Sequence, residues 1–145
     1  MKNVTTECLY CGQNGARENL MIEIAQLSVS TVYLLKEQTY MGRCIVAYKD
    51  HVKDLHELSV EDRNAFMDDV CRVGKALEKV FNAQSINYGI FNDLIAHLHV
   101  HLVPKYQGGP NWGGTFDMAP KRTFLSPAGY ERVIGEIRAE LLNNK

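Results

Sequence analysis

The sequence predicts an α+β domain: a mainly antiparallel sheet of about five strands, one long central helix and a C-terminal helix. Three observations lead there. Apolar and β-branched residues cluster in short segments, several joined by turns of hairpin length. Two longer segments carry apolar residues at three- and four-residue steps instead. The resulting order, β-β-β-α-β-β-α, favours antiparallel pairing over a wound parallel sheet. At 145 residues the chain reads as one domain, 1–145, large enough to build a core without disulfides.

Residues 20–27, LMIEIAQL, alternate in part and open the sheet. Residues 31–36, TVYLLK, turn through EQTYMG into RCIVAYK, 43–49, a hairpin partner. A loop with Asp50, His51 and Asp54 follows, and Ser59 then caps the clearest helix. Glu61 and Asp62 suit its positive end, and its stripe from Ala65 through Phe66, Val70, Val73 and Leu77 runs to about residue 83. Residues 86–91, INYGIF, form a strand, and a turn with Asn92 and Asp93 leads to HLHVHLVP, 97–104, a strand ended by Pro104. Residues 105–125 hold four glycines and two prolines with no period, a length typical of functional or disordered loops. Ser126-Pro127 starts the last helix, which Tyr130, Val133, Ile134, Ile137 and Leu141 carry to about residue 143.

Composition excludes several roles. Sixteen basic and seventeen acidic residues leave a net charge of −1, with no cationic footprint for nucleic acid or an anionic membrane surface. No apolar segment is long enough to span a bilayer. The N-terminal residues MKNVTTECLYCG lack the apolar stretch of a signal peptide, so four cysteines predict free or metal-bound thiols in a cytoplasmic protein.

The chemistry concentrates in His97, His99 and His101. On a strand, alternate positions share a face at intervals of ~6.8 Å. Between and after them stand Leu98, Val100 and Leu102, an apolar opposite face. Histidines at that spacing cannot easily share one ion with bonds of ~2.0 Å, so they take different jobs. A central imidazole flanked by two others suits nucleophilic attack on phosphorus. Cys8 and Cys11 form a C-x2-C knuckle able to bind zinc, with His51, His56 and the triplet as candidates for its further ligands. Cys44 and Cys71 sit in apolar contexts and read as core residues.

The run His97-Leu-His99-Val-His101-Leu-Val-Pro resembles the signature of the histidine triad (HIT) superfamily of nucleotide hydrolases and transferases. The C-x-x-C, the hairpin ending GRCIVAYKDH, the capped helix and the Asn92 turn fall in the matching order, so the resemblance covers about residues 8–106, with 107–145 as loop and C-terminal helix. It implies a HIT-like fold, a homodimer, and a nucleotide substrate, a purine nucleotide by expectation. It also implies cleavage of a phosphoanhydride or phosphoramidate bond, as in dinucleoside polyphosphate hydrolases, with His99 as nucleophile forming a nucleotidyl intermediate. His101 would contact the phosphate and assist the leaving group. In zinc-containing relatives the first triad histidine is a ligand, which maps a structural Zn2+ onto Cys8, Cys11, His51 and His97.

Substrate contacts follow less closely. Many members carry Gly-His where this chain has Gly42-Arg43, and Arg43 reads as solvated surface, with phosphate binding as the alternative. Glu37 is the nearest stand-in for the acid that holds the ribose in many members. Asn92 is a candidate for a phosphate oxygen or for holding its loop, and Lys105 for a phosphate. Trp112 is a candidate for stacking on a base, closing a lid or covering a dimer seam. Two rival readings are a zinc-stabilised nucleotide-binding interaction module with little catalysis, and a hydrolase with catalytic zinc on the triplet.

Overall fold

In the computed structural model, which describes residues 8–13 and 15–143, one five-stranded sheet runs in the order β1-β2-β3-β5-β4. The strands are β1 (Met21–Gln26), β2 (Ser30–Leu35), β3 (Cys44–Tyr48), β4 (Ser85–Gly89) and β5 (His99–Lys105). All neighbouring pairs are antiparallel. A short helix α1 (Ala16–Leu20) precedes β1, and a 3-10 turn occupies Leu55–Glu57; the sequence pattern showed neither. Five or fewer residues give too little period to detect.

The long helix α2 spans Val60–Phe81, and α3 spans Pro127–Asn143. Ser59 caps α2, its side chain accepting from the Asp62 N–H at 3.0 Å. Asn82 ends it in the left-handed region at φ 50°. Both helices pack on one sheet face, where Val32, Leu34, Cys44, Val46, Val100 and Leu102 meet Phe66, Val73, Leu77, Val133 and Ile137. Cys44 is buried there as expected, but Cys71 is exposed: it follows Val70 by one residue, a turn of ~100° that carries it off the stripe.

The opposite sheet face is partly covered by Cys8, Leu9 and Tyr10. Tyr33, Ile45 and Ala47 gather with Tyr10 and Met21 into a second, smaller cluster. Ile45 pairs with His101 and Ala47 with His99, so both histidines share this second face.

Two strand boundaries differ from the sequence reading. His97 lies outside β5, in a bend, and Pro104 lies inside it, opposite Ile86. The ladder to β3 ends at Leu102, which leaves one side of β5 open where a residue lacking N–H is tolerated. The 106–125 segment has almost no regular structure but is tied down along its length. Lys105 Nζ donates to the carbonyls of Asn111 (2.7 Å) and Gly114, the Tyr40 hydroxyl accepts from the Asp117 N–H at 2.7 Å, and the Gln38 N–H donates to the Thr123 carbonyl at 2.8 Å.

Candidate active site and metal centre

The bend at His97 divides the three histidines. Tyr48 N–H donates to the Leu98 carbonyl and Leu98 N–H to the Val52 carbonyl, fixing the chain just ahead of β5. From there the His97 ring turns to the N-terminal knuckle, while His99 and His101 stay on the strand face with ring centroids 5.2 Å apart.

At the first of these places Cys8, Cys11, His51 and His97 each offer a ligand atom, all within 4.8 Å of one another. His97 Nδ1 lies 3.4 Å from Cys8 Sγ, from Cys11 Sγ and from His51 Nδ1, and Cys11 Sγ lies 3.5 Å from His51 Nδ1. Tetrahedral zinc with Zn–S bonds of ~2.3 Å and Zn–N bonds of ~2.1 Å requires edges of ~3.4–3.6 Å. The donor set and its spacing therefore fit a four-coordinate metal ion. His97 Nε2–H donates to the Tyr48 carbonyl at 2.7 Å, which leaves the Nδ1 lone pair for the ion and fixes the ring plane. Burial, then Cys8 beside it, pushes the Cys11 thiol up to about 11, so an ion entering here displaces a proton. His56 stands outside this group, exposed beside Asp54 and Glu57.

The second place faces a cleft of about 780 Å³. Its walls are mainly apolar: Leu9, Met21 and Ile45 on the sheet side, Phe91 and Leu94 before β5, Met118 and Phe124 from the 106–125 segment. His99 and His101 are both on its lining. His99 Nδ1–H donates to the His97 carbonyl at 2.6 Å, so its Nε2 carries the free lone pair. Burial holds the His99 imidazole below its ordinary value despite that hydrogen bond, which keeps it neutral and nucleophilic at neutral pH.

Arg43 overturns the expectation of a solvated surface residue. It is 2% exposed and also lines the cleft. Gly42 holds φ +89°, and a Cβ there would lie 2.4 Å from the Phe81 ring, so glycine makes the turn that aims Arg43 inward. The guanidinium donates from Nη1 to the Asp117 carbonyl (3.0 Å), and from Nη2 to the Met118 carbonyl (3.0 Å) and His101 Nδ1 (3.2 Å). It also lies 5.0 Å from the centroid of the Phe116 ring. His101 therefore accepts at Nδ1 and carries its proton on Nε2. Burial, then the Arg43 charge, then His99 drive its pKa down to about 3. No sequence pattern marks Arg43; the only available signal was its departure from Gly-His.

The remaining candidates are engaged elsewhere or differently. Glu37 lines the cleft, but its carboxylate accepts from the backbone N–H groups of Thr39, Arg122 and Thr123, each at 2.7 Å, and from the Thr39 hydroxyl. Burial raises that carboxyl, yet these bonds outweigh it and hold it below the ordinary range. Asn92 donates to the Asp54 carboxylate, joining two loops. Lys105 is buried with its ammonium on two carbonyls of the 106–125 segment, and neither it nor Asn92 lines the cleft. Trp112 is 40% exposed and away from the cleft lining. No helix among the described residues is long and apolar enough to cross a membrane.

Known proteins resemble this chain in sequence and in fold. The adenosine 5'-monophosphoramidase hnt1 of Schizosaccharomyces pombe is 29% identical over 96 residues, covering 63% of this chain and 72% of that protein. The crystal structure of the histidine triad protein blr8122 from Bradyrhizobium japonicum superposes with a TM-score of 0.80 at 18% identity, over 90% of this chain and 97% of the other. A zinc-bound histidine triad family protein from Mycobacterium smegmatis gives a TM-score of 0.67 at 21% identity, covering 94% of each chain. The family model described as HIT domain matches residues 23–108, more than half of the sequence, and the chain belongs to the HIT family.

Proposed function

We propose that this protein is a nucleotide hydrolase or nucleotidyltransferase that breaks a phosphorus–oxygen or phosphorus–nitrogen bond through a covalent nucleotidyl-His99 intermediate. The observation that carries the reading is the hydrogen bond of His99. With Nδ1–H given to the His97 carbonyl, a neutral Nε2 faces a cleft large enough for a nucleotide. His99 Nε2 attacks phosphorus while His101 Nε2–H donates to a phosphoryl oxygen, with the buried Arg43 charge behind it. The apolar walls accept the base, and the phosphoramidase activity named for the yeast relative supports a nucleotide substrate.

Cys8, Cys11, His51 and His97 would hold a zinc ion. Four protein ligands make it structural: it ties the N-terminal segment to the residue whose carbonyl orients His99. A homodimer is supported by the outer strand β4, where Tyr88 is 54% exposed, and sedimentation reads it directly.

The test is His99→Ala with adenosine and guanosine substrates of both bond types. Turnover is expected to fall by at least ~10³-fold with fold and zinc content unchanged, and wild type given substrate labelled at the attacked phosphorus should yield a labelled nucleotidyl-histidine. Turnover surviving the substitution refutes the mechanism. Nucleotide binding by wild type without turnover returns the protein to a binding module.

A further inference from the structure

We propose that Arg43 makes this site selective for substrates whose leaving group departs as a stable anion, a phosphoanhydride or acyl phosphate, over phosphoramidates. The inference rests on the reading of His99 as nucleophile and concerns what His101 can do for the leaving group.

An imidazole acts as a proton donor near neutrality only as imidazolium, with N–H on both nitrogens. Here Nδ1 of His101 faces a guanidinium N–H at 3.2 Å. A second proton on Nδ1 would set two donors against each other and place two cations side by side in a buried pocket. Arginine cannot yield by losing its own proton. Nor does it have room to swing away: Nη1 and Nη2 are also tied to the Asp117 and Met118 carbonyls, and Phe116 lies against the guanidinium.

The other groups around His101 do not offset this. His99 is its neutral neighbour on β5, and Phe91 and Phe116 cover the ring with carbon. Glu37 and Asp117 act on Arg43 at longer range, and no carboxylate among the described residues forms an ion pair with it. The depressed His101 pKa agrees with the geometry.

The consequence falls on the bond that breaks. The lone pair on His99 Nε2 forms the new P–N bond, and the old bond's electron pair leaves with the departing group. A phosphate or carboxylate accommodates that pair without a proton. An amine does not, because the bare amide anion is far too basic, so a phosphoramidate needs an acid that this His101 is not. The nucleotidyl-imidazolium keeps its Nδ1–H on the His97 carbonyl. Water then adds to phosphorus, His99 leaves as neutral imidazole, and the water's proton passes to solvent.

The zinc-loaded protein should be compared on diadenosine triphosphate and adenosine monophosphoramidate. Since a positioned acid is worth ~10²–10⁴-fold, the anhydride should be favoured by at least ~100-fold in kcat/KM. Arg43→Gln and Arg43→Ala should narrow that ratio by ~10-fold or more through kcat on the amidate; a loosened 106–125 segment alone would raise KM for both compounds alike. Across a wild-type series of leaving groups, rate should fall steeply with leaving-group basicity. Equal rates on the two compounds, a ratio indifferent to Arg43, or a flat leaving-group series overturns the proposal. Nitrogen NMR of wild-type His101 should show one Nε2–H tautomer between about pH 5 and 8, and protonation within that range overturns it without any substrate. Failure to cleave either compound refutes the underlying reading and the selectivity with it, whereas the NMR outcome refutes the tautomer lock alone.

Discussion

If Cys8, Cys11, His51 and His97 hold zinc, removing it should lower the melting temperature, because ligands so far apart in sequence meet only in the folded state. Cys11 and His51 are 40 residues apart, and His51 and His97 are 46 apart. Closing two loops of that size costs an unfolded chain about 3 kcal/mol each, or ~6–7 kcal/mol together, by the logarithmic loop-closure relation. The unfolded chain therefore does not assemble the four-ligand site, and zinc binds the folded state almost alone. Free zinc at a thousandfold excess over Kd then stabilises by about 4 kcal/mol. At roughly 3 °C per kcal/mol for a domain of this size, the shift is ~12 °C. Differential scanning calorimetry with and without a strong chelator, alongside metal analysis, reads it. Cys11→Ser should lose most of the zinc-dependent shift, because Cys11 Sγ stands next to both ring nitrogens. A wild-type protein that binds one zinc per chain yet melts at the same temperature after chelation would refute the reasoning.

Two further predictions concern stability. His101 holds a pKa of about 3 in the fold against ~6.5 unfolded, so below pH ~6.5 the unfolded state binds the extra proton and stability falls as pH falls toward 3. From pH 7 to pH 5 this group should remove about 2 kcal/mol, read by urea denaturation, and His101→Gln should remove its share of that slope; an unchanged slope contradicts the depressed pKa. Asp69 on α2 is 1% exposed and accepts from the N–H groups of Ser28 and Val29 and the Ser30 hydroxyl, pinning the β1–β2 turn. Asp69→Ala leaves those donors unmet and should cost about 2–4 kcal/mol; a loss under ~1 kcal/mol in denaturation would show that water replaces the carboxylate.

The strands and both long helices were legible because their residues repeat at the periods that burial demands. The His99 and His101 face followed from alternation alone, as did the apolar face behind it. Arg43 was not legible. An arginine beside a glycine in a hairpin turn is ordinarily solvated, and only the fold of the 106–125 segment buries it against His101. Lys105 and Glu37 gave the converse lesson. Both are charged residues near phosphate-suited positions, yet backbone groups more than sixty positions from Glu37, and loop carbonyls a few residues beyond Lys105, occupy them. Neither long-range pairing nor irregular loop geometry leaves a period in sequence.

By itself the sequence determined the layered α+β architecture, the placing of His99 and His101 on one strand face and the knuckle of two cysteines, because each is carried by residues close together in the chain. Tertiary structure alone decided where each histidine ring sits and what it is bonded to. The bend ahead of β5 sends His97 to the cysteines, its carbonyl turns His99 outward, and a guanidinium 58 residues away in sequence sets the proton on His101. Those assignments are hydrogen bonds between segments brought together only when the sheet closes, and a proton's position follows from its neighbours rather than from the residue that carries it.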